Sequence, residues 1–146
     1  MARKYLIYWS LISFLLLAYC NKTDKNYSNI SKYLNIKDID IKNGYKKIVV
    51  ITDEGCMACT NFLSTEMLGE LDEKHTLFVV TSKNSHTIEP FLQKNDNLIV
   101  DWQMDINKYP EFAKSSVIFL GENKVDTVIN ISANEIQEQL NFIKKH

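Results

Sequence analysis

The chain has 146 residues, a formal net charge of −1 and a hydrophobic fraction of 45%. This length suits one domain with one core, preceded by a short leader. Its 17 basic and 18 acidic residues are interspersed without a basic stripe, so a nucleic-acid-binding surface is excluded as the expected function.

The N-terminus has the layout of an export signal. Arg3 and Lys4 form a positive segment, residues 5–18 are almost entirely apolar, and the polar chain begins at Asn21. The sequence Leu17-Ala18-Tyr19-Cys20 resembles a bacterial lipobox, in which the cysteine is lipidated and becomes the first mature residue, although Tyr19 replaces the usual small residue. An uncleaved membrane anchor is the alternative, but the apolar stretch is shorter than the about 20 residues that span a bilayer. Either interpretation predicts an exported domain tethered to a membrane, with residues 1–20 as a lipoprotein-type signal peptide and Cys20 as the lipidation site.

Residues 21–44 are predicted to be a polar tether and N-terminal extension. The part over 21–31 is rich in Asn, Lys and Ser and lacks periodicity, which is typical of a tether. Residues 33–41 are mixed and predict a short edge strand or a turn of helix, and Gly44 then interrupts the chain.

The domain over residues 45–146 begins with strands and helices in alternation. Residues 47–52 form an apolar run suited to a sheet interior. A helix is predicted from Cys56 to about Leu71, and a second buried strand over 76–82. The later elements of this part are a short helix over 87–94 limited by Pro90, a strand-like segment over 97–102, and a loop with a helical turn over 105–114.

The domain is predicted to end with a hairpin and a helix. Two strands, 116–120 and 124–131, flank the turn signal Gly121-Glu122-Asn123. The last helix is predicted over 132–145, because Ser132 and Glu135 have the spacing of a capping box and an apolar stripe follows.

The sequence Gly55-Cys56-Met57-Ala58-Cys59 directly follows the first strand. A thiol at a helix start lies near free backbone N–H groups and the positive end of the helix dipole, which stabilise a thiolate. The second thiol, one turn further on, is close enough to close a small disulfide ring. The motif therefore predicts thiol–disulfide chemistry at Cys56 and Cys59. Lipidation of Cys20 would leave these two as an isolated pair in an oxidising compartment.

The order of elements, with Cys-x-x-Cys opening the first helix, resembles the thioredoxin-like fold, and in particular the membrane-tethered, exported thioredoxin-like proteins of bacteria. The resemblance covers residues 46–146 and implies an α/β fold with a central mixed β-sheet flanked by helices. It implies that Cys56 attacks a substrate disulfide and that Cys59 resolves the mixed disulfide. Ser115 and Ser116 occupy the place of the family's cis-proline, so they are predicted to form a substrate loop without that constraint.

Two other features depart from the family pattern near the motif. Gly55 replaces the usual aromatic residue before the first cysteine, and the strand at 48–51 offers no buried carboxylate. Asp53 and Glu54 precede Cys56, and their negative charge disfavours a thiolate. We therefore expect Cys56 to be less acidic than in strongly oxidising members.

Other chemistry is less well supported by the sequence. A structural zinc site needs four ligands, and His75, His86 and His146 are not paired at metal-ligand spacing, so neither a metal nor a bound cofactor is expected. Trp102 and Tyr109 are candidates for a substrate groove, or for the core or its rim.

The sequence thus predicts a protein of the bacterial cell envelope, lipid-anchored with its domain facing the periplasm or exterior. Its expected partners are thiols or disulfides of exported proteins, an unidentified redox partner that resets the pair, and the membrane. The alternative is a redox-silent thioredoxin-like binding lipoprotein in which Cys56 and Cys59 form a structural disulfide. The two functions differ in whether Cys56 and Cys59 cycle between disulfide and thiols under mild reductant.

Overall fold

A five-stranded mixed sheet forms the centre of the part of the chain that the structure describes. The computed structural model describes residues 24–41, 44–52, 57–62, 65–66, 73–83, 89 and 97–146. The strands, in chain order, are β1 (Lys47–Thr52), β2 (Thr76–Thr81), β3 (Leu98–Val100), β4 (Ser116–Gly121) and β5 (Lys124–Asn130). Their spatial order is β3-β2-β1-β4-β5. Strands β1, β2 and β3 are parallel, whereas β4 runs antiparallel to β1 and β5 antiparallel to β4.

Helices cover both faces of the sheet. They are α1 (Lys25–Ile36), α2 (Met57–Phe62) and α3 (Ile136–Lys145), and short 3₁₀ turns occur at Glu73–His75 and Asp105–Lys108. Alternation along each strand divides the core into two clusters, since successive side chains point to opposite faces. Helix α1 packs with Ile48, Val50 and their neighbours on one face, and α3 packs with Val49, Ile51 and theirs on the other. This arrangement confirms the predicted α/β class with a central mixed sheet and flanking helices.

The segment expected to be a polar tether differs most from the prediction. Residues 25–36 form α1, whose Asp24 caps the helix by accepting a hydrogen bond at Oδ1 from the backbone N–H of Tyr27 at 2.8 Å. Ile30, Tyr33 and Leu34 are fully buried against the sheet. The polar residues of this stretch therefore belong to the exposed side of an amphipathic helix, not to a tether. Residues 21–23 lie outside the described residues.

The central strands and the hairpin lie where the sequence predicted them. Strand β1 has the predicted bounds, and β2 ends one residue earlier than expected. In the hairpin, Asn123 adopts a left-handed conformation with φ of 56°, which the short turn between β4 and β5 requires. A register shift between Phe119 and Leu120 marks an irregularity in this ladder. At Gly121 an added Cβ would lie 2.5 Å from Oδ2 of Asp126, so a larger residue there would require the partly exposed Asp126 side chain to move.

The capping box predicted for the last helix is wrong. Helix α3 begins at Ile136 rather than at Ser132, and its N-cap residue Glu135 makes no capping side-chain hydrogen bond. Gln139 makes the hydrogen bond to Ser132 that the box assigned to Glu135: its Oε1 accepts from the backbone N–H of Ser132 at 3.0 Å, and its Nε2 donates to the carbonyl of Asn130 at 2.9 Å. The predicted apolar stripe is confirmed, because Leu140 and Ile143 are buried.

The remaining predicted helices fall partly outside the described residues. Helix α2 lies within the segment predicted from Cys56 to about Leu71, and only residue 89 is described within the helix predicted over 87–94. Within the described part of the chain, no helix combines the length and the apolar character needed to cross a bilayer.

Candidate functional site

The carboxyl ends of the three parallel strands define one edge of the sheet, here called the carboxyl edge. Strand β1 ends there at Thr52, β2 at Thr81 and β3 at Val100. In open sheets with parallel strands, ligands and reactive groups commonly lie in the crevice at this edge. The opposite edge, where β1 and β2 begin, is called the amino edge.

The Cys-x-x-Cys sequence connects this edge to helix α2. Thr52 is the last residue of β1 and α2 begins at Met57, so the motif connects the central strand of the sheet to a helix, as predicted. Cys59 lies within α2, whereas Cys56 lies outside the described residues, as does Cys20. The arrangement of the two sulfurs is consequently not part of the described geometry.

Ser115 fixes the end of β1 from the neighbouring loop. Its hydroxyl oxygen accepts a hydrogen bond from the backbone N–H of Thr52 at 3.1 Å and donates to the carbonyl of the same residue at 3.4 Å. The carbonyl of Ser115 accepts from the N–H of Ile131 at 2.8 Å. Ser115 thus holds together the strand that leads into the cysteine motif and the strands that follow the expected substrate loop.

Both serines of the expected substrate loop are buried. Ser115 is 8% exposed and Ser116 is fully buried as the first residue of β4. No cis peptide bond occurs in the part of the chain that is described, which includes the bond between these serines. The side chains therefore face the interior, and the backbone carbonyl of Ser115 is already bound within the sheet.

Buried hydroxyl groups close the α1 face of the core at the carboxyl edge. Thr52 pairs with Thr81 across β1 and β2, and Val50 pairs with Ser116 across β1 and β4. The hydroxyl oxygens of Thr81 and Ser116 are buried without a hydrogen-bond partner among the described residues. A polar layer thus separates the apolar core from the cysteine end of the molecule.

An ion-pair network joins the end of α1 to the end of β3. The Nζ of Lys37 lies 2.8 Å from Oδ1 of Asp101 and 2.8 Å from Oδ2 of Asp105, and the Nζ of Lys108 lies 2.6 Å from Oδ1 of Asp105. The Asp101 side chain is fully buried, and its Oδ2 also accepts from the N–H of Ile106 at 2.9 Å. The network therefore fixes both the last turn of α1 and the chain that leaves β3.

These contacts shift the ionisation of their members. Hydrogen bonds from Lys108 and Lys37 lower the pKa of Asp105. Burial lowers the pKa of Lys37, but its hydrogen bonds to Asp101 and Asp105 outweigh that effect and raise it overall. Burial also raises the pKa of Tyr33, and the negative charge of Asp101 adds to this increase. Lys37 and Asp105 therefore stay charged, and Tyr33 stays neutral, near neutral pH.

The two aromatic candidates for a substrate groove lie in different surroundings. Trp102 is 53% exposed and lies two residues after the end of β3, at the carboxyl edge. Tyr109 is half-buried and packs against the core cluster on the α1 face. Only Trp102 is available at the surface near the end of the sheet from which the cysteine motif departs.

The described histidines make structural contacts. The Nδ1 of His75 lies 3.2 Å from the carbonyl oxygen of Gly44, and the Nδ1 of His146 lies 3.0 Å from that of Phe142. His86 lies outside the described residues. Within the described ranges, no group of three or more His, Cys, Asp or Glu residues is arranged to hold a metal ion.

Two important features of this end have no local signal in the sequence. Lys37 and Asp101 are 64 positions apart, and Ser115 and Thr52 are 63 apart, so each pairing depends on the folded sheet. An aspartate directly after a buried strand was the one visible hint of a polar role for Asp101. No protein-family model matches this chain, and neither curated proteins nor solved structures include one with significant similarity to it.

Proposed function

We propose that this chain is an exported, membrane-tethered thioredoxin-like protein that exchanges thiols and disulfides with exported proteins through Cys56 and Cys59. The observation that carries the proposal is that helix α2, which contains Cys59, follows the central strand β1 at the carboxyl edge of the sheet. Groups at this edge of parallel strands are commonly accessible to ligands.

The arrangement of the sheet supports the thioredoxin-like part of the proposal. The strand before the motif is central, a parallel strand lies on one side of it, and an antiparallel hairpin lies on the other. This agrees with the strand–helix–strand order and the hairpin on which the resemblance is based. The leader and Cys20 support the export and tethering parts through sequence alone.

The exchange needs no bound cofactor, because the two cysteines themselves carry the electrons. The Cys56 thiolate attacks one sulfur of a substrate disulfide, a new S–S bond forms, and the other substrate sulfur leaves as a thiolate. The Cys59 thiolate then attacks the Cys56 sulfur, which releases the second substrate thiolate and leaves the protein with a Cys56–Cys59 disulfide. An external dithiol donor restores the two thiols, and oxidation of a substrate follows the same steps in reverse.

The alternative is a binding lipoprotein whose cysteine pair is a permanent structural disulfide. The burial of Ser115 and Ser116 favours it, because the loop expected to contact substrate is held inside the sheet. We favour thiol–disulfide exchange because Cys59 lies in the helix that follows the central strand β1 at the accessible edge.

A redox titration separates the two functions. The full chain carrying Cys20→Ser is equilibrated in dithiothreitol or glutathione buffers, and alkylation then reports the state of Cys56 and Cys59. A reversible two-electron transition supports exchange. Its midpoint potential is expected at about −120 mV for an oxidant or about −270 mV for a reductant. A pair that stays oxidised until the domain unfolds would contradict exchange and identify a structural disulfide.

Trapping of mixed disulfides gives a matched test of the two roles. Cys59→Ser is expected to accumulate mixed disulfides with a model disulfide substrate, because Cys56 attacks but nothing resolves the bond. Cys56→Ser is the control and should trap none. Equal trapping by both variants would contradict the assignment of Cys56 as the nucleophile.

A further inference from the structure

A basic cavity lies at the amino edge of the sheet, remote from the cysteine motif. It has a volume of about 180 Å³, and its lining residues are Lys46, Lys47, His75, Thr76 and His146. Lys46 and Lys47 lie at the start of β1 and Thr76 at the start of β2, and the end of α3 closes the cavity. The described lining side chains are basic or neutral, which favours an anion, whereas the carbonyl end of α3 that closes the cavity opposes one.

Contacts with the surrounding backbone hold several of the basic groups in place. The Nζ of Lys47 donates to the carbonyl of Ile143 at 3.4 Å and lies 5.3 Å from the centre of the Phe119 ring. The His146 ring stacks on Phe142 with a centroid distance of 4.2 Å. Lys46, in contrast, is exposed, so its charge is directed to the solvent beside the cavity.

More positive charge surrounds this cavity. Lys74 precedes His75, and Lys144 and Lys145 precede His146 at the end of α3, all three with exposed side chains. On the hairpin at the same edge, Lys124 is paired with Asp126 at 2.7 Å. The carboxylate residues described at this edge are Asp24, Glu73, Glu122 and Asp126, and Asp126 is already paired with Lys124.

Helix α1 brings the N-terminal segment to the same edge. Its last turn is held at the carboxyl edge through Lys37 and Asp101, and twelve helical residues span about 18 Å. Its first turn therefore lies towards the amino edge. There the hydrogen bond and ion pair with Asp126 raise the pKa of Lys124, and the negative charge of Asp24 adds to this increase. The chain enters the domain at the end that carries the basic cavity.

We propose that this cavity binds the phosphate groups of anionic lipid headgroups and docks the amino edge of the domain on the membrane. The inference rests on the export and tethering parts of the proposed function, and it is independent of the redox chemistry. From Cys20 to Asp24 the chain reaches at most about 14 Å, so a lipid on Cys20 would hold this edge close to the headgroups. Basic side chains near an anionic surface are attracted to it.

Docking in this way directs the cysteine end away from the membrane. The six residues of β1 separate the two edges by about 20 Å. In this orientation the cysteine motif could not reach a substrate disulfide within the bilayer. The orientation therefore implies that the substrates are soluble or peripheral exported proteins.

Energy transfer from Trp102 to a dansyl-labelled lipid headgroup measures this orientation. The full chain with Trp9→Phe is reconstituted into vesicles of phosphatidylcholine alone, or of phosphatidylcholine with phosphatidylglycerol, so that Trp102 is the single donor. We expect less transfer in the anionic vesicles, because docking moves Trp102 away from the surface. Lys46→Glu is expected to lower the ratio of docked to undocked domain by at least about fivefold and to restore the transfer seen in neutral vesicles.

A charge-matched variant at the other edge is the control. Lys83→Glu changes an exposed lysine directly after β2 and should leave the transfer in anionic vesicles unchanged. Equal transfer in the two kinds of vesicle, or no response to Lys46→Glu, would overturn the proposal. Inorganic phosphate added at constant ionic strength should reverse the docking, because it competes with the lipid phosphate groups for the same cavity. The redox midpoint of the same samples reports the exchange chemistry separately.

Discussion

A single hydroxyl group connects the strand before the cysteine motif to the strand after the expected substrate loop. The sequence placed Ser115 at this position through the family resemblance, but it predicted a loop directed at substrate. The structure shows instead a buried side chain bonded to both backbone groups of Thr52. This pairing was not predictable from the sequence, because it depends on the register of β4 against β1.

Replacing Ser115 tests this connection. Ser115→Ala removes both hydrogen bonds to Thr52 and is expected to lower the free energy of unfolding by about 1–2 kcal/mol, as measured by urea denaturation. Ser116→Ala is the matched control: its buried hydroxyl oxygen has no partner among the described residues, so its removal should be neutral or slightly stabilising. Equal losses in the two variants would contradict the role assigned to Ser115.

Among the elements, apolar strands were predictable and helices stabilised by distant contacts were not. Strand β1 is apolar along most of its length, and this pattern predicted both its bounds and its burial. Helix α1 was missed because Asn, Lys and Ser residues dominate its composition, although its buried positions have helical spacing. The start of α3 was misplaced because Gln139, seven positions from Ser132, supplies the hydrogen bond that the capping box was expected to make.

The contribution of α1 to the core can be measured with two isoleucines. Ile30→Ala removes a fully buried side chain from the α1 face, and we expect a loss of about 2–4 kcal/mol in the free energy of unfolding. Ile36→Ala, in the same helix at 61% exposure, should change it little. If both variants are as stable as the parent in thermal and urea unfolding, residues 25–36 act as a tether after all.

At the scale of the whole molecule, the ion-pair network around Lys37 makes stability depend on pH. The folded state lowers the pKa of Asp105, so its carboxylate stabilises the fold above its ordinary pKa, and this contribution is lost as the pH falls through the acid range. The folded state raises the pKa of Lys37, so the contribution of its charge is present below the ordinary lysine pKa and is lost as the pH rises above it.

Removing Lys37 should expose this dependence. Lys37→Met leaves the buried Asp101 carboxylate without its cation, and we expect a loss of about 3 kcal/mol near neutral pH. The difference from the parent in the free energy of unfolding should narrow as the pH falls through the acid range, where the stabilising charge of Asp105 is lost. Thermal unfolding between about pH 7 and about pH 3 would show this. Lys108→Met, whose side chain is 72% exposed, should remain close to the parent throughout. If the stability difference between the parent and Lys37→Met does not change with pH, an electrostatic role for Lys37 is contradicted.

The two outer strands of the sheet, β3 and β5, limit association between neighbouring copies of the protein. Unpaired strand edges are templates for association between copies of a chain, and proteins limit this with short edges, charges and irregular ladders. Strand β3 is only three residues long, and β5 carries Lys124 and Asp126 beside the register shift at Phe119 and Leu120. The proposed membrane tether would concentrate the domains in two dimensions, and these edges would let neighbouring domains meet there without pairing their strands.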